Sequence, residues 1–234
     1  MYHNMPSKLY IICEGQSESA FVNKMLCQYV GEKTKWQLRL IPITITTSTR
    51  KSSGKVFKGG LRNYGKIKNE LKKIITTGEA VSTMIDYYGL PSDFPGYNEL
   101  KKFYTSIDKV KHLEKSLLND ILKEYSNVKK DFFIPYIQLH EFETLFFSDL
   151  LKLKDFYLEI EEQKAIDKLA NETEGMSPEE INNGFETAPS KRLAHAINYH
   201  KGKTIAGPMK KINIDKMRER CPHFNEWVEK ILGL

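Results

Sequence analysis

Apolar runs typical of β-strands alternate with amphipathic stretches typical of α-helices over the first 145 residues of the chain. The run KLYIIC, residues 8–13, consists largely of β-forming residues, and the apolar positions of the following segment, SESAFVNKMLCQYV, recur at helical intervals. Further strands are predicted at 38–46, at 81–86 and within DFFIPYIQLHEFE from residue 131. Strands that alternate with helices favour a parallel sheet with right-handed crossovers. The pattern therefore predicts an α/β fold, a Rossmann-like core with a mostly parallel sheet flanked by helices.

The helices between the later strands are predicted from their apolar repeats. One amphipathic helix is indicated by a set of residues that share a helical face, Ile67, Leu71, Ile74 and Ile75. The apolar positions from residue 97 to about 125 indicate one long helix or two in succession. Pro135 interrupts the last predicted strand, and a proline is better tolerated at a sheet edge than at its centre.

Beyond residue 150 the pattern changes to charged and polar stretches with short helical repeats. Ser177 followed by Pro178 is typical of a helix start, with serine as the N-cap and proline at the first helical position, and Ser190 is predicted to begin another helix. We therefore predict two parts, an α/β core over residues 1–149 and an α-helical C-terminal extension over residues 150–234 that packs on the core.

The composition is that of an ordinary globular protein, with 40% apolar and 28% charged residues. No long apolar run precedes residue 10, so we expect neither a signal peptide nor a membrane span, and we predict a cytoplasmic protein that does not engage a membrane. The three cysteines, Cys13, Cys27 and Cys221, are far apart and form no CxxC motif. They are predicted to be free thiols rather than parts of a disulfide framework or a structural zinc site.

A net charge of +6 and a pI near 9.0 suggest a polyanionic partner if the positive charge is concentrated on one surface. The segment RKSSGKVFKGGLRNYGKIK, residues 50–68, contains no acid and is interrupted by glycines, so its first part is predicted to be a loop. A solvated lysine-rich loop is the alternative. Lys191 and Arg192 begin a predicted helix, where cations oppose the helix dipole. A phosphate contact would explain them, and a salt bridge to the acidic region around Glu159 to Glu162 is the alternative. The candidate nucleic-acid-binding residues are Arg50, Lys51, Lys55, Lys58, Arg62, Lys66, Lys191 and Arg192.

Acids follow the predicted strands at three places. Glu14, Asp86 and Glu141 each come at or near the end of a strand, and the carboxyl ends of parallel strands share one edge of the sheet. We therefore expect three carboxylates to converge on one crevice. A hard cation such as Mg²⁺ relieves their mutual repulsion through oxygen ligands and polarises phosphoryl oxygens. For any single acid, a helix cap or a solvated surface group is the alternative.

The segment IICEGQSE resembles the first motif of the TOPRIM domain of topoisomerases, primases and overcoming-lysogenization-defect nucleases, and MIDYYGLP resembles its third-strand motif. The order of EGQSE, KGGLRNYGKIK, MIDYYGLPSDFPG, LHEFETLFFSD and PSKRL is similar to that in a family of small bacterial TOPRIM-like proteins of unknown function. Members of that family are often encoded beside an ATPase, as in phage-defence pairs. The resemblance implies a TOPRIM core, a bound Mg²⁺ or Mn²⁺ ion and a possible ATPase partner.

The resemblance also implies roles for particular residues. Glu14 matches the glutamate that transfers protons and helps to bind metal, and Asp86 matches the first metal-binding aspartate, so these two are the predicted catalytic residues. The second aspartate of the family motif falls on Tyr88, which cannot replace it as a Mg²⁺ ligand. Glu141, Glu143 or Asp93 could complete the ligand set, and the resemblance favours Glu141 and Glu143. They face the same side if residues 140–143 are extended and diverge if a helix has begun there.

Two functions follow as hypotheses. The first is a Mg²⁺-dependent phosphodiester-cleaving enzyme, a TOPRIM-type nuclease that acts with an ATPase partner in phage defence or DNA metabolism, with DNA favoured over RNA. The alternative is a non-catalytic binding or regulatory subunit of an ATPase complex. HEFET lacks the second histidine of a zinc protease motif, because Thr144 stands at that place. No GxGxxG or GxxxxGK[ST] motif supports a nucleotide cofactor.

Overall fold

A computed structural model describes residues 5–45, 49–50, 56–57, 61, 63–125, 129–181, 187–197 and 207–234, with the backbone alone for 49–50 and 56–57. Four of the predicted basic residues, Lys51, Lys55, Lys58 and Arg62, and the side chain of Arg50 lie outside the described residues. The strands within these ranges are β1 (Lys8–Cys13), β2 (Arg39–Thr44), β3 (Thr49–Arg50), β4 (Val56–Phe57), β5 (Ala80–Asp86), β6 (Phe133–Ile134) and β7 (Ile137–Gln138).

The helices of the described part are α1 (Gln16–Phe21), α2 (Cys27–Lys33), α3 (Tyr64–Ile75), α4 (Ser106–Glu124), α5 (Ile160–Glu172), α6 (Pro189–Ala196), α7 (Ile214–Arg220) and α8 (Pro222–Leu232). A π-helical turn, Val22–Leu26, joins α1 directly to α2. Short 3₁₀ helices occupy Tyr87–Gly89, Tyr97–Lys102, Lys130–Phe132, Phe142–Ser148, Leu150–Asp155, Pro178–Glu180 and Met209–Lys211. No helix in these ranges is both long and apolar enough to span a membrane.

The main sheet is parallel at every pairing that the structure describes. Its order is β2-β1-β5-β6, and β7 continues the pairing with β5 beyond Pro135. The α/β prediction with a parallel sheet flanked by helices is therefore confirmed. Proline occurs within β2, as Pro42, and between β6 and β7, as Pro135. These strands lie at the two ends of the order, where a missing N–H removes no hydrogen bond from the centre of the sheet.

Helices cover both faces of the sheet. Alternate residues of β1 enter different clusters, with Leu9, Ile11 and Cys13 in one and Ile12 in the other. The first cluster is completed by the residue 16–33 helix and by the C-terminal helices, and the second by α3 and α4. The amphipathic helix predicted from Ile67 and its neighbours is α3, and the stretch from residue 97 to 125 is a 3₁₀ turn followed by α4.

The residues beyond 150 bury apolar side chains against the sheet. Trp227 of α8 is 2% exposed, stacks on Tyr136 with ring centroids 4.3 Å apart, and donates its indole N–H to Ser82 Oγ at 2.8 Å. Truncation of a buried aromatic side chain of this kind costs about 3–5 kcal/mol. The contact thus ties the last helix to the central strand β5.

Two helix starts differ in detail from their prediction. Helix α1 begins at Gln16, because the Glu18 carboxylate accepts the Gly15 N–H at 2.9 Å and fixes the turn there. Helix α6 begins at Pro189 with Ala188 as its N-cap residue, so Ser190 does not cap it. The cysteines are free thiols, and burial raises the pKa of Cys13 well above its ordinary value, which makes it a poor nucleophile.

Candidate active site

Strands β1 and β5 are neighbours at the point where the order of the strands in the sheet reverses. From β1 the chain passes through the 16–33 helix to β2 on one side, and it returns through α3 to β5 on the other side. Such a switch point leaves a crevice outside the carboxyl ends of the two strands, which is where open α/β sheets bind ligands. Glu14 directly follows β1, and Asp86 is the last residue of β5.

Glu14 and Asp86 are in contact at this edge. The Glu14 N–H donates to the Met84 carbonyl at 3.2 Å, which extends the β1–β5 ladder by one step. The Glu14 carboxylate then accepts the Asp86 N–H through Oε2 at 3.2 Å. Asp86 is 6% exposed, and Glu14 is half-buried. Two of the predicted site residues, distant in sequence, are therefore brought together.

Gly89 provides the space that the Glu14 carboxylate occupies. A Cβ atom at position 89 would lie 2.6 Å and 2.7 Å from the two carboxylate oxygens, closer than such atoms approach. Gly89 ends the 3₁₀ turn Tyr87–Gly89 that follows Asp86. Gly89 thus leaves room for the Glu14 carboxylate, a role that its place in a predicted turn does not indicate.

Tyr88, His140 and Glu179 form a hydrogen-bonded chain beside this pair. The Tyr88 N–H donates to the His140 carbonyl at 3.1 Å, and the phenol oxygen lies 3.1 Å from His140 Nδ1. His140 Nε2 lies 2.9 Å from the Glu179 carbonyl oxygen. Because a carbonyl only accepts, Nε2 carries the proton, and the Tyr88 hydroxyl donates to Nδ1. His140 has φ of 62°, a left-handed conformation that is strained for a non-glycine residue.

The Tyr88 phenol and the His140 imidazole are both neutral near pH 7. Burial lowers the pKa of His140, against the opposing effects of the Glu179 carbonyl and the Glu141 charge. Burial, with the nearby charge of Glu141, raises the pKa of Tyr88 to about 12. Tyr88 therefore adds no negative charge beside Asp86. His140, 2% exposed, is a buried histidine with both ring nitrogens hydrogen-bonded.

A helix begins within the HEFE segment, which is the case in which we expected Glu141 and Glu143 to diverge. A 3₁₀ helix starts at Phe142, with Glu141 as its N-cap residue. Glu141 is half-buried and accepts the Ser190 N–H through Oε2 at 3.0 Å, at the start of α6. Glu143 is fully buried. A carboxylate at a helix N-terminus stabilises the macrodipole, so the structure gives Glu141 a capping role.

The predicted cations of α6 follow directly after the Glu141 contact. Lys191 is exposed, and Arg192 donates from Nε to the Thr187 carbonyl at 2.9 Å. Lys66, the remaining described member of the basic set, is half-buried in the first turn of α3. Its N–H donates to the side chain of Asn63, the α3 N-cap, at 3.2 Å.

The donor set at this edge consists of the Glu14–Asp86 carboxylate pair. Among the described residues, no group of three or more His, Cys, Asp or Glu side chains is arranged to hold a metal ion. Mg²⁺ in phosphoryl-transfer sites is commonly held by one or two carboxylates together with water and substrate phosphate, rather than by a cage of protein ligands. Glu14 and Asp86, two acids at the ends of neighbouring strands, are of the residue type that this mode of binding uses.

Sequence reasoning did not identify Gly89, Glu179 and Ser190 as parts of the site. Glu179 orients His140 through its carbonyl, and its carboxylate accepts the N–H groups of His223 and Phe224, each at 3.0 Å, at the start of α8. These are backbone contacts across many residues, and no side-chain spacing in the sequence signals them.

A family model described as "Domain of unknown function (DUF4276)" matches residues 13–232. A search of curated proteins and a search of solved structures each found no match.

Proposed function

This chain belongs to the DUF4276 family, a family of unknown function, and on that premise we propose that it is a Mg²⁺- or Mn²⁺-dependent enzyme that cleaves phosphodiester bonds in nucleic acid. One observation carries the proposal: Glu14 and Asp86 lie at the ends of neighbouring strands at the switch point of a parallel sheet, where the Glu14 carboxylate accepts the Asp86 backbone N–H through Oε2 at 3.2 Å.

Glu14 and Asp86 would hold the metal ion, and the ion, when bound, supplies positive charge that neutralises the carboxylates and polarises a phosphoryl oxygen. Glu14 has the further role of transferring a proton, because its carboxylate is half-buried and lies at the open edge. The 3.2 Å hydrogen bond from the Asp86 N–H orients it. Tyr88, a neutral phenol held by His140, lowers the negative charge of the site relative to one with a second aspartate.

A non-catalytic binding or regulatory subunit is the second candidate. Two points favour it: Tyr88 stands where the TOPRIM motif that this segment resembles has its second aspartate, and the Glu141 carboxylate accepts the Ser190 N–H at the start of α6. As in the resemblance to TOPRIM-like proteins, the partner would be an ATPase. The two candidates differ in one property, since only the enzyme requires metal-dependent turnover at Glu14 and Asp86.

The test combines calorimetric titration of Mg²⁺ and Mn²⁺ with cleavage of plasmid DNA, RNA and a small chromogenic phosphodiester. Glu14→Gln keeps an oxygen that accepts the Asp86 N–H, and Asp86→Asn keeps the side-chain shape, so both variants are expected to fold. We expect each to lose metal binding and to lower cleavage by about 10²-fold or more. Matched controls are Glu161→Gln and Asp155→Asn, whose side chains are 86% and 51% exposed and lie away from the sheet edge.

Native metal affinity and rate in the two controls, together with their loss in the two site variants, support the proposal. The absence of metal binding by the native chain at millimolar concentrations contradicts it and favours the regulatory candidate. Circular dichroism of every variant shows whether a lost activity reflects a lost fold.

A further inference from the structure

A groove with a volume of about 390 Å³ runs between α3 and the end of β2. Its lining residues are Ile45, Lys66, Asn69, Glu70, Lys72 and Lys73. Lys66, Asn69, Glu70 and Lys73 are spaced by three or four residues, so they form one stripe along the helix. Among the described residues that line it, Ile45 is the apolar one, and it is 3% exposed. The helical wall presents one amide and four charged side chains, whose aliphatic stems also form part of its surface.

The groove adjoins the edge of the sheet that carries the candidate active site. The Ile45 N–H donates to the Cys13 carbonyl at 3.0 Å, and Cys13 directly precedes Glu14. Helix α3 starts at the same edge, because the Tyr64 N–H donates to Asp93 Oδ1 at 2.9 Å, and Asp93 lies in the segment that follows β5. A chain-like ligand in the groove would therefore continue toward the Glu14–Asp86 pair.

The groove carries uncompensated positive charge. Lys73 forms an ion pair with Glu70 at 2.7 Å, whereas Lys66 and Lys72 form no ion pair within the part of the chain that the structure describes. Lys68, on another side of α3, is neutralised by two acids of α4, at 2.8 Å and 2.6 Å. Lys66 also lies in the first helical turn, where a cation opposes the helix dipole. An anionic ligand offsets both effects.

We propose that this groove binds the backbone of the DNA strand on which Glu14 and Asp86 act, with Lys66, Lys72 and Lys73 contacting successive phosphates and Asn69 donating to a phosphate oxygen. The inference rests on the proposed function for its choice of ligand. Lys66 and Lys73 are separated by roughly 10 Å of helix axis at 1.5 Å per residue. Phosphates along one strand of a duplex recur about every 3.4 Å of its axis, so the lysines span two or more of them.

The chemistry of the lining favours DNA over an acidic protein segment. A protein partner gains much of its binding energy from an apolar interface core, and the one apolar side chain among the described lining residues, Ile45, is already buried. A phosphate backbone needs only cations and hydrogen-bond donors. Lysine and asparagine contacts of this kind position the backbone, so we expect binding to tolerate changes of base sequence.

The test measures binding apart from catalysis. A labelled DNA strand and the corresponding duplex are titrated by fluorescence anisotropy in the presence of EDTA, over a series of salt concentrations. The groove variant is Lys66→Gln/Lys72→Gln/Lys73→Gln. The matched control, Lys109→Gln/Lys115→Gln/Lys123→Gln, removes the same charge from α4, a helix of the same face of the sheet. We expect the groove variant to reduce the salt slope of log K by about 2 to 3, and the control to leave it unchanged.

Three outcomes overturn the proposal: no DNA binding by the native chain at low salt, an equal loss in the groove variant and the control, or equally tight and groove-dependent binding of polyglutamate. The last would identify a docking site for an acidic protein.

Hydrolysis of the small phosphodiester with Mn²⁺ separates this inference from the proposed function. If the groove variant loses DNA binding while the native chain hydrolyses nothing, the groove is a DNA site and the catalytic proposal fails. If the native chain hydrolyses the phosphodiester but DNA binding does not depend on the groove, the catalytic proposal stands and the groove proposal fails.

Discussion

Gly89 lets the Glu14 carboxylate lie beside the end of β5. The substitution Gly89→Ala places a methyl group within 2.7 Å of both carboxylate oxygens and forces the Glu14 side chain to move. A displacement of about 1 Å at a catalytic group costs about 10²-fold in rate. We expect Gly89→Ala to lower metal affinity and phosphodiester cleavage together, while the free energy of unfolding changes by about 1 kcal/mol or less, because the side chain that moves is flexible.

Gly65→Ala is the matched control for this substitution. A Cβ atom at Gly65 meets only the Asn63 side chain, at 3.4 Å, and alanine is favoured over glycine inside a helix by about 1 kcal/mol. The control should therefore keep full activity and gain slight stability. Unchanged metal titration and cleavage in Gly89→Ala would mean that the position of the Glu14 carboxylate does not matter for either property.

At the scale of elements, α4 and α8 are joined by a buried ion pair. His223 Nε2 donates to Glu114 Oε1 at 2.9 Å, and the two side chains are 4% and 10% exposed. The same Glu114 oxygen accepts the Ile137 N–H at 2.8 Å, which brings β7 into the junction. Burial opposes charging of the imidazole, but the hydrogen bond to Glu114 and its negative charge outweigh this effect and raise the pKa of His223.

This junction predicts a dependence of stability on pH. A histidine pKa that is raised in the folded state gives stability that is fully present below the ordinary pKa near 6.5 and is lost as the pH rises through the folded value. The contribution of His223 to the free energy of unfolding, measured with urea, should therefore decline as the pH rises above about 6.5. His223→Gln should cost about 2–3 kcal/mol at the acidic end and remove that decline.

The control for this measurement is His195→Gln, a histidine of α6 that is exposed to solvent. It should leave the pH profile of the native chain unchanged. If native protein and His223→Gln lose stability in parallel over this range, another group is responsible for the dependence.

Local pattern predicts the elements of this fold better than it predicts their ends. Strands β1 and β5 were predictable because a buried strand reads as a short run of apolar, β-forming residues. Helix α3 was predictable because burial of one face repeats apolar residues at helical spacing. The capping of α6 was not, since the Ser190 N–H is accepted by Glu141, which lies 49 residues away. The same limit applies to the HEFE segment, where the sequence allowed both an extended and a helical path.

At the candidate site too, the sequence pattern predicts some contacts and not others. Acids at strand ends of a parallel sheet must share one edge, so the meeting of Glu14 with Asp86 could be predicted without knowing any contact. The chain from Tyr88 through His140 to Glu179 could not, because it depends on a carbonyl 39 residues from the histidine and on a left-handed backbone at His140. Glu141 followed β7 as expected, but helix capping decided which partner its carboxylate met.

At the scale of the whole molecule, one hydrophobic cluster contains residues from both parts of the predicted division at residue 150. Leu9, Ile11 and Phe21 share it with Met217, Trp227 and other residues of the last helices. The Trp227 indole is hydrogen-bonded to Ser82 of the central strand at 2.8 Å. The DUF4276 match, residues 13–232, also runs across the division. A shared core of this kind couples the unfolding of its parts.

We therefore predict that the α/β core and the C-terminal helices unfold in a single cooperative transition. The chain has two tryptophans, and Trp36 is 68% exposed, so Trp36→Phe leaves Trp227 as a single fluorescent reporter inside the shared core at a small cost in stability. Urea denaturation of this variant followed by fluorescence reports on α8, and far-ultraviolet circular dichroism reports on all helices. We expect the two midpoints to coincide, because partial unfolding would expose the apolar surface that both parts bury. Fluorescence that changes at a lower urea concentration than the dichroism would instead show that the C-terminal helices detach first, leaving a core whose stability does not depend on Trp227.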